Sequence, residues 1–140
     1  MKWSIAVVRP RPYYRPTEKL LVELKAEIDP GWHLYSFPQP PGSAAFPIMI
    51  RLPDGQAFDQ AGEIEWPKPE SAADPNSAYP TEFYEDSALF RVPVRVAPKS
   101  RPAKQQLQLQ VRYQACNDRL CLPPKTETLE TAIEIRGKPK

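Results

Sequence analysis

Three segments of the chain alternate apolar and polar side chains with period two, the pattern of a strand with one face buried. Leu20, Val22, Leu24, Ala26 and Ile28 share one face, with Glu23, Lys25 and Glu27 between them. Phe90, Val92, Val94 and Val96 alternate with Arg91, Pro93 and Arg95. Leu107, Leu109, Val111, Tyr113 and Ala115 alternate with Gln106, Gln108, Gln110, Arg112 and Gln114. Weaker strand patterns at 3–8, 46–52, 63–66 and 129–135 bring the expected total to about seven, spaced as in an antiparallel β-sandwich. Pro93 has no N–H to give, so it is expected on an edge or with that missing donor turned to solvent.

Composition sharpens this picture. Nineteen of the 140 residues are proline, against about 5% in ordinary chains. Proline is excluded from helix interiors, and the longest proline-free stretches are 103–122 and 125–138, so a helical bundle is ruled out. The length fits one domain, expected over 1–140, rather than separate cofactor and substrate lobes. The proline-rich connections at 38–47 and 67–80 are expected as surface loops, and the second is longer than a sandwich needs. With the 81–86 segment that follows, it is expected either to be functional or to be a solvated connection with Phe83 or Tyr84 tucked into the core.

Nineteen basic and seventeen acidic residues are scattered along the chain for a net charge of +2, which leaves no nucleic-acid footprint. No apolar run approaches the roughly 18 residues of a membrane span, and 5–8 is too short for a signal-peptide core. The chain as given is expected to be soluble, without membrane insertion of its own.

Chemistry concentrates at Cys116 and Cys121, with Asn117, Asp118, Arg119 and Leu120 between them. Continuing the alternation of 107–115 puts Cys116 on the opposite face from Val111, Tyr113 and Ala115, outward from the core. If the four intervening residues form a hairpin loop, the two cysteines oppose each other. Opposed residues lie about 4.5 to 5.5 Å apart at Cα, inside the usual disulfide range of about 4.4 to 6.8 Å. On the loop-entropy model so small a ring stabilises by only roughly 2 kcal/mol, against about 4.7 for a loop of about 100 residues. A weak staple facing outward favours redox chemistry, with a purely structural clip as the alternative. A zinc site using both cysteines and His33 lacks the matching second pair of ligands, and His33 reads as a polar strand residue. Arg112 and Arg119 would lower a thiol pKa there, while Asp118, Glu82 and Glu85 would raise it if the long loop folds over the pair.

At Tyr113-Gln114-Ala115-Cys116 and Cys121-Leu122-Pro123-Pro124 the chain resembles the N-terminal, periplasmic domain of DsbD-type thiol:disulfide interchange proteins. Pro30-Gly31-Trp32-His33-Leu34-Tyr35 is similar to that family's early strand segment, and Glu82-Phe83-Tyr84 to its cap loop. The resemblance runs from about Lys19 to Ile135. It implies an immunoglobulin-like fold and a thiol:disulfide oxidoreductase that needs no cofactor or metal. Electrons would come from a thioredoxin-like domain and pass to periplasmic partners, such as a DsbC-like isomerase and cytochrome c maturation thioredoxins. By the same resemblance Cys121 forms the mixed disulfide and Cys116 resolves it. Phe83 is the cap aromatic, and Tyr35, Glu82 and Tyr84 line the site. Two departures stand out: some members have five residues between the cysteines, and some have glycine where this chain has Glu85. The alternative is a non-catalytic β-sandwich binding module with a local disulfide.

Overall fold

The computed structural model describes residues 1–40, 45–73 and 80–137, which form an all-β, immunoglobulin-like sandwich with no helix among them. The strands are β1 (Lys2–Val7), β2 (Lys19–Glu27), β3 (His33–Tyr35), β4 (Met49–Arg51), β5 (Phe58–Gln60) and β6 (Glu70–Ala72). They continue with β7 (Thr81–Tyr84), β8 (Ser87–Val96), β9 (Ala103–Tyr113), β10 (Ala115–Cys116) and β11 (Lys125–Ile135). Hydrogen bonding orders them as β1-β2-β8-β5, β11-β9-β4 and β10-β3-β7-β6, every pair antiparallel.

The strongly alternating segments become the long central strands β2, β8 and β9. Val22, Leu24 and Ala26 on β2 join Phe90, Val92, Val94 and Val96 on β8 in one inner face. Leu107, Leu109 and Val111 on β9 form the other with Ile133 and Ile135 on β11. Burying a large apolar side chain contributes roughly 1.5 to 3 kcal/mol, so these facing rows hold the sandwich together. Phe90 is the aromatic hub, with its ring centroid 5.4 Å from Trp66, 5.5 Å from Tyr84 and 6.4 Å from Trp3.

Several expectations are refined. Pro93 lies on β8, which is a central strand, but the Pro93 carbonyl accepts from Ala61 N–H just after β5 has ended. Its nitrogen faces that same side, where the chain at 61–64 leaves the ladder, so no ladder bond is lost. The expected strand at 63–66 reduces to one bridge, Glu65 to Arg91, because Trp66 turns to pack on Phe90. The strand expected at 46–52 narrows to β4, since Pro47 has no donor and makes only a bridge to Tyr35. Part of the long 67–80 connection is strand β6, paired with β7; the rest of the expected loops, 41–44 and 74–79, lies outside the described residues.

The break that builds the site falls at Gln114. There the chain leaves the β11-β9-β4 sheet and enters the small sheet as its edge strand, β10. Leu34, Tyr84 and Ala115 on one face of this small sheet complete the core. Its other face carries the cysteines.

Candidate functional site: a disulfide under a small sheet

Residues directly opposed in a ladder project to the same face, and so do residues two apart on one strand. Cys116 opposes His33, Tyr35 opposes Phe83, and His33 and Tyr35 are two apart on β3. Cys116, His33, Tyr35 and Phe83 therefore share one face. The rings confirm it: the His33 centroid lies 5.1 Å from Tyr35 and 5.3 Å from Phe83. His33 Nε2 and Tyr35 Oη are 3.1 Å apart in a hydrogen bond whose direction depends on the imidazole tautomer.

Cys116 and Cys121 are joined, with S–S 2.06 Å and Cα–Cα 4.0 Å. The four-residue hairpin loop forms as the spacing predicts. Asn117 N–H donates to Leu120 O and Leu122 N–H to Ala115 O, bracketing the cysteines as a bridge pair. Asn117 Oδ1 accepts from the N–H groups of Arg119 (2.8 Å) and Leu120 (2.9 Å), an Asx turn that fixes the loop. Gln114 Nε2 donates to Leu122 O at 3.1 Å and ties the hairpin's far side.

One expectation is corrected here. Cys116 lies outside the core cluster, as the alternation places it, yet it does not face outward: it is 0% exposed. The sheet switch at Gln114 carries it into the small sheet beside β3, opposite the buried His33, which a single strand's period cannot foresee. Cys121 is only half-buried, and the flanking Leu120 and Leu122 are each 48% exposed. The two cysteines of one local bond thus differ in burial. On the opposite face of the hairpin from the disulfide, a cleft of about 590 Å³ is lined by Trp32, Tyr113, Ala115, Leu122, Pro123 and Pro124, among others.

Of the other residues expected at the site, Tyr35 is buried and Phe83 half-buried on the disulfide face. Glu82 and Tyr84 belong to the opposite face of β7. Tyr84 is buried against Phe90 and donates to Pro67 O at 2.9 Å; burial, and then the Glu82 charge, push its pKa up to about 12. Tyr84 anchors β7 rather than lining the disulfide. Glu82 acts through its backbone: its carbonyl accepts from Ser36 N–H and Gln39 Nε2, and its N–H donates to Gln39 Oε1. Behind the cleft, Tyr113 donates to Glu127 at 3.0 Å. Its pKa is raised chiefly by burial and also by Glu127, against a lowering from Trp3. His33, read from the sequence as a polar strand residue, does lie on a strand, β3, and on its disulfide face; Gln39 is the residue here that sequence reasoning did not single out. The i, i+2 spacing of His33 and Tyr35 was the available signal for that shared face; Gln39 sits in a proline-rich connection and gave none.

The model of the family described as thiol:disulfide interchange protein DsbD, N-terminal, matches residues 7–133. The thiol:disulfide interchange protein DsbD of Haemophilus ducreyi is 28% identical over 76 residues, which cover 54% of this chain and 12% of that protein. The crystal structure of the N-terminal periplasmic domain of ScsB from Proteus mirabilis superposes with a TM-score of 0.56 at 15% identity. It covers 90% of this chain and 43% of that one, a likeness of fold. The family match takes in the Gln114 switch, both cysteines and the β7 strand alike, and the chain belongs to the DsbD N-terminal family.

Proposed function

We propose that the chain is a periplasmic dithiol relay, a thiol:disulfide oxidoreductase domain over 1–140 that exchanges disulfides through Cys121 and Cys116. The observation that carries this reading is the unequal burial of the two cysteines, Cys116 fully buried and Cys121 only half-buried. Exchange requires a thiolate to reach one sulfur of a disulfide, so access selects which sulfur is attacked. Cys121 is that sulfur.

In the reducing direction the Cys121 thiolate attacks a partner disulfide, and that bond breaks with its electron pair on the partner's leaving sulfur. The Cys116 thiolate then attacks Cys121, forming the intramolecular bond and expelling the partner's second sulfur. Two electrons and two protons pass to the partner, and no cofactor takes part. Recharging runs the same steps backward from a thioredoxin-like domain. Phe83 shields the pair at rest, Tyr35 supports that shield, and Glu82 and Tyr84 hold β7 in place. Partners of the DsbC-like isomerase and cytochrome c maturation thioredoxin classes follow from the family resemblance. The apolar apron of Leu120 and Leu122 suits docking of another protein beside Cys121. The periplasmic location follows from membership of the DsbD N-terminal family, and the ScsB domain that shares this fold is itself periplasmic.

The test is trapping. With a thioredoxin-fold protein in its disulfide form, Cys116→Ala accumulates a mixed disulfide through Cys121, whereas Cys121→Ala does not. Trapping through Cys116 alone inverts the roles.

A further inference from the structure

Basic and acidic side chains are mixed along the sequence, but the fold sorts them between the two ends of the sandwich. Cys116 and Cys121 lie at one end, just past the paired residues Tyr113 and Lys125. The opposite end is where Ala103 pairs with Ile135, where Tyr14 bridges to Ile135, and where Phe58 pairs with Val96. The chain there, at 8–18, 52–57, 97–102 and 136–137, carries Arg9, Arg11, Arg15, Lys99, Arg101 and Arg136 against only Glu18 and Asp54. At the disulfide end the balance reverses. The connections 28–32, 85–86 and 117–124 hold Asp29, Glu85, Asp86 and Asp118 against Arg119 alone. We propose that the basic end seats the domain on a bilayer surface bearing anionic headgroups, with the disulfide end turned away from it. The proposal rests on charge and topology, independently of the relay.

The protein leaves this charge largely uncompensated. Arg11 has an acidic partner in Glu18 at 3.3 Å, but among the described residues Arg9, Arg15, Lys99, Arg101 and Arg136 make no ion pair. Arg15 Nε is buried with no hydrogen-bond partner. Like charges gathered in this way repel one another, a cost that an anionic partner removes.

The patch is also held in place. Tyr14 is buried; its N–H donates to Glu134 O, and its carbonyl accepts from Arg136 N–H. Pro10, Pro12 and Pro16 restrict the same connection. The Arg15 and Arg136 guanidinium groups lie 5.3 and 4.3 Å from the Tyr13 ring centroid, and that of Arg11 lies 4.5 Å from the Tyr14 centroid. Cationic groups ordered before binding lose less entropy on contact.

A planar anionic surface fits this arrangement better than an exchange partner does. The six basic residues come from three separate stretches of chain at one end, and a plane meets them together. Half-buried Tyr13 among them is the residue type that settles at headgroup level. β9 has 11 residues, which at about 3.3 Å each sets the two ends roughly 35 Å apart. A protein docked at the basic end is therefore far from either sulfur, whereas a supporting surface there leaves Cys121 open. That separation is also several Debye lengths, about 8 Å each at physiological ionic strength, so the acidic end is not repelled. No helix among the described residues is long and apolar enough to cross a membrane, so the contact is with headgroups.

The test is sedimentation with vesicles of phosphatidylglycerol and phosphatidylcholine in equal parts, against vesicles of phosphatidylcholine alone. The domain is expected to sediment with the mixed vesicles at low ionic strength, to be released in roughly 1 M salt, where the Debye length is about 3 Å, and to ignore phosphatidylcholine. Arg9→Gln/Lys99→Gln/Arg101→Gln alters three exposed side chains that make no ion pair. At roughly 5-fold for each basic side chain, it weakens partitioning about 100-fold. Lys2→Gln/Lys25→Gln/Arg119→Gln removes the same charge from near the disulfide end and leaves partitioning nearly unchanged. Equal weakening by both triple variants overturns the proposal in favour of net charge. So does sedimentation with phosphatidylcholine alone, or none with either vesicle. Capture by polyglutamate without vesicle binding assigns the patch to an acidic protein and overturns it too. Orientation is read by dithiothreitol: the disulfide is expected to be reduced equally fast on vesicles and in solution, and protection on vesicles overturns the outward placement.

Discussion

Phe83→Ala tests whether the aromatic ring on β7 governs access to the disulfide. The ring is half-buried and its centroid lies 5.3 Å from that of His33. Full burial of a phenylalanine is worth roughly 1.5 to 3 kcal/mol, so half of it is worth about 1. An aromatic pair adds about 0.5 to 1.5 kcal/mol. Truncation therefore removes about 1.5 to 2.5 kcal/mol of what holds β7 against the disulfide face, short of the roughly 3 to 5 for a fully buried phenylalanine. If a reagent reaches the bond only when this short strand parts locally, the same energy appears in the opening equilibrium. At a factor of 10 per 1.4 kcal/mol, reduction by a small thiol speeds up about 10- to 60-fold. The assay is the pseudo-first-order loss of the disulfide in dithiothreitol, read by alkylation and mass, alongside the thermal midpoint. A midpoint lowered as expected, with a reduction rate within about 2-fold of wild type, refutes the reasoning. The ring would then be packing and not a shield.

Three further outcomes follow from the same geometry. Gln39→Ala removes the side chain that bonds both Glu82 N–H and Glu82 O; at about 0.5 to 1.5 kcal/mol for each net hydrogen bond, reduction by dithiothreitol quickens about 5-fold or more, and an unchanged rate shows the clasp irrelevant to β7. Phe90→Ala empties the aromatic hub between Trp3, Trp66 and Tyr84 and lowers unfolding free energy by about 3 to 5 kcal/mol in urea titrations, whereas a loss under about 1 contradicts the packing described. Tyr84 is raised from its ordinary value of 10.0 to about 12, so its neutral form is favoured by folding. That contribution is whole below pH 10 and lost as pH climbs toward 12; the thermal midpoint should fall over this window and Tyr84→Phe should fall less steeply.

The long strands were legible because their surroundings are simple. β2, β8 and β9 each run between paired neighbours with one face buried, and Val22, Phe90 and Leu109 announce that in a period of two. The site was half legible. Cysteine spacing gave the hairpin and the bridge, and resemblance gave Phe83 its place near them. The strands of the small sheet that carries the pair, β3, β6, β7 and β10, have two to four residues each, too few for a period to emerge. Nothing local to Gln114 says that the chain changes sheets there, so Cys116 was expected outward and is in fact buried. Glu82, Phe83 and Tyr84 are consecutive, yet only Phe83 faces the disulfide, because strand alternation inside what reads as a loop sends its neighbours to the other side. His33 gained its place from a ladder partner some eighty positions away in the chain, Cys116.

The central claim, that the Cys116–Cys121 bond cycles rather than clips a hairpin, is tested most directly by its reduction potential. The domain is equilibrated against thiol buffers and the alkylated thiols are counted by mass. The relay predicts a value within roughly −180 to −270 mV, the span of exchange proteins, whereas a value below about −300 mV would mark a structural bond in a binding module and contradict it.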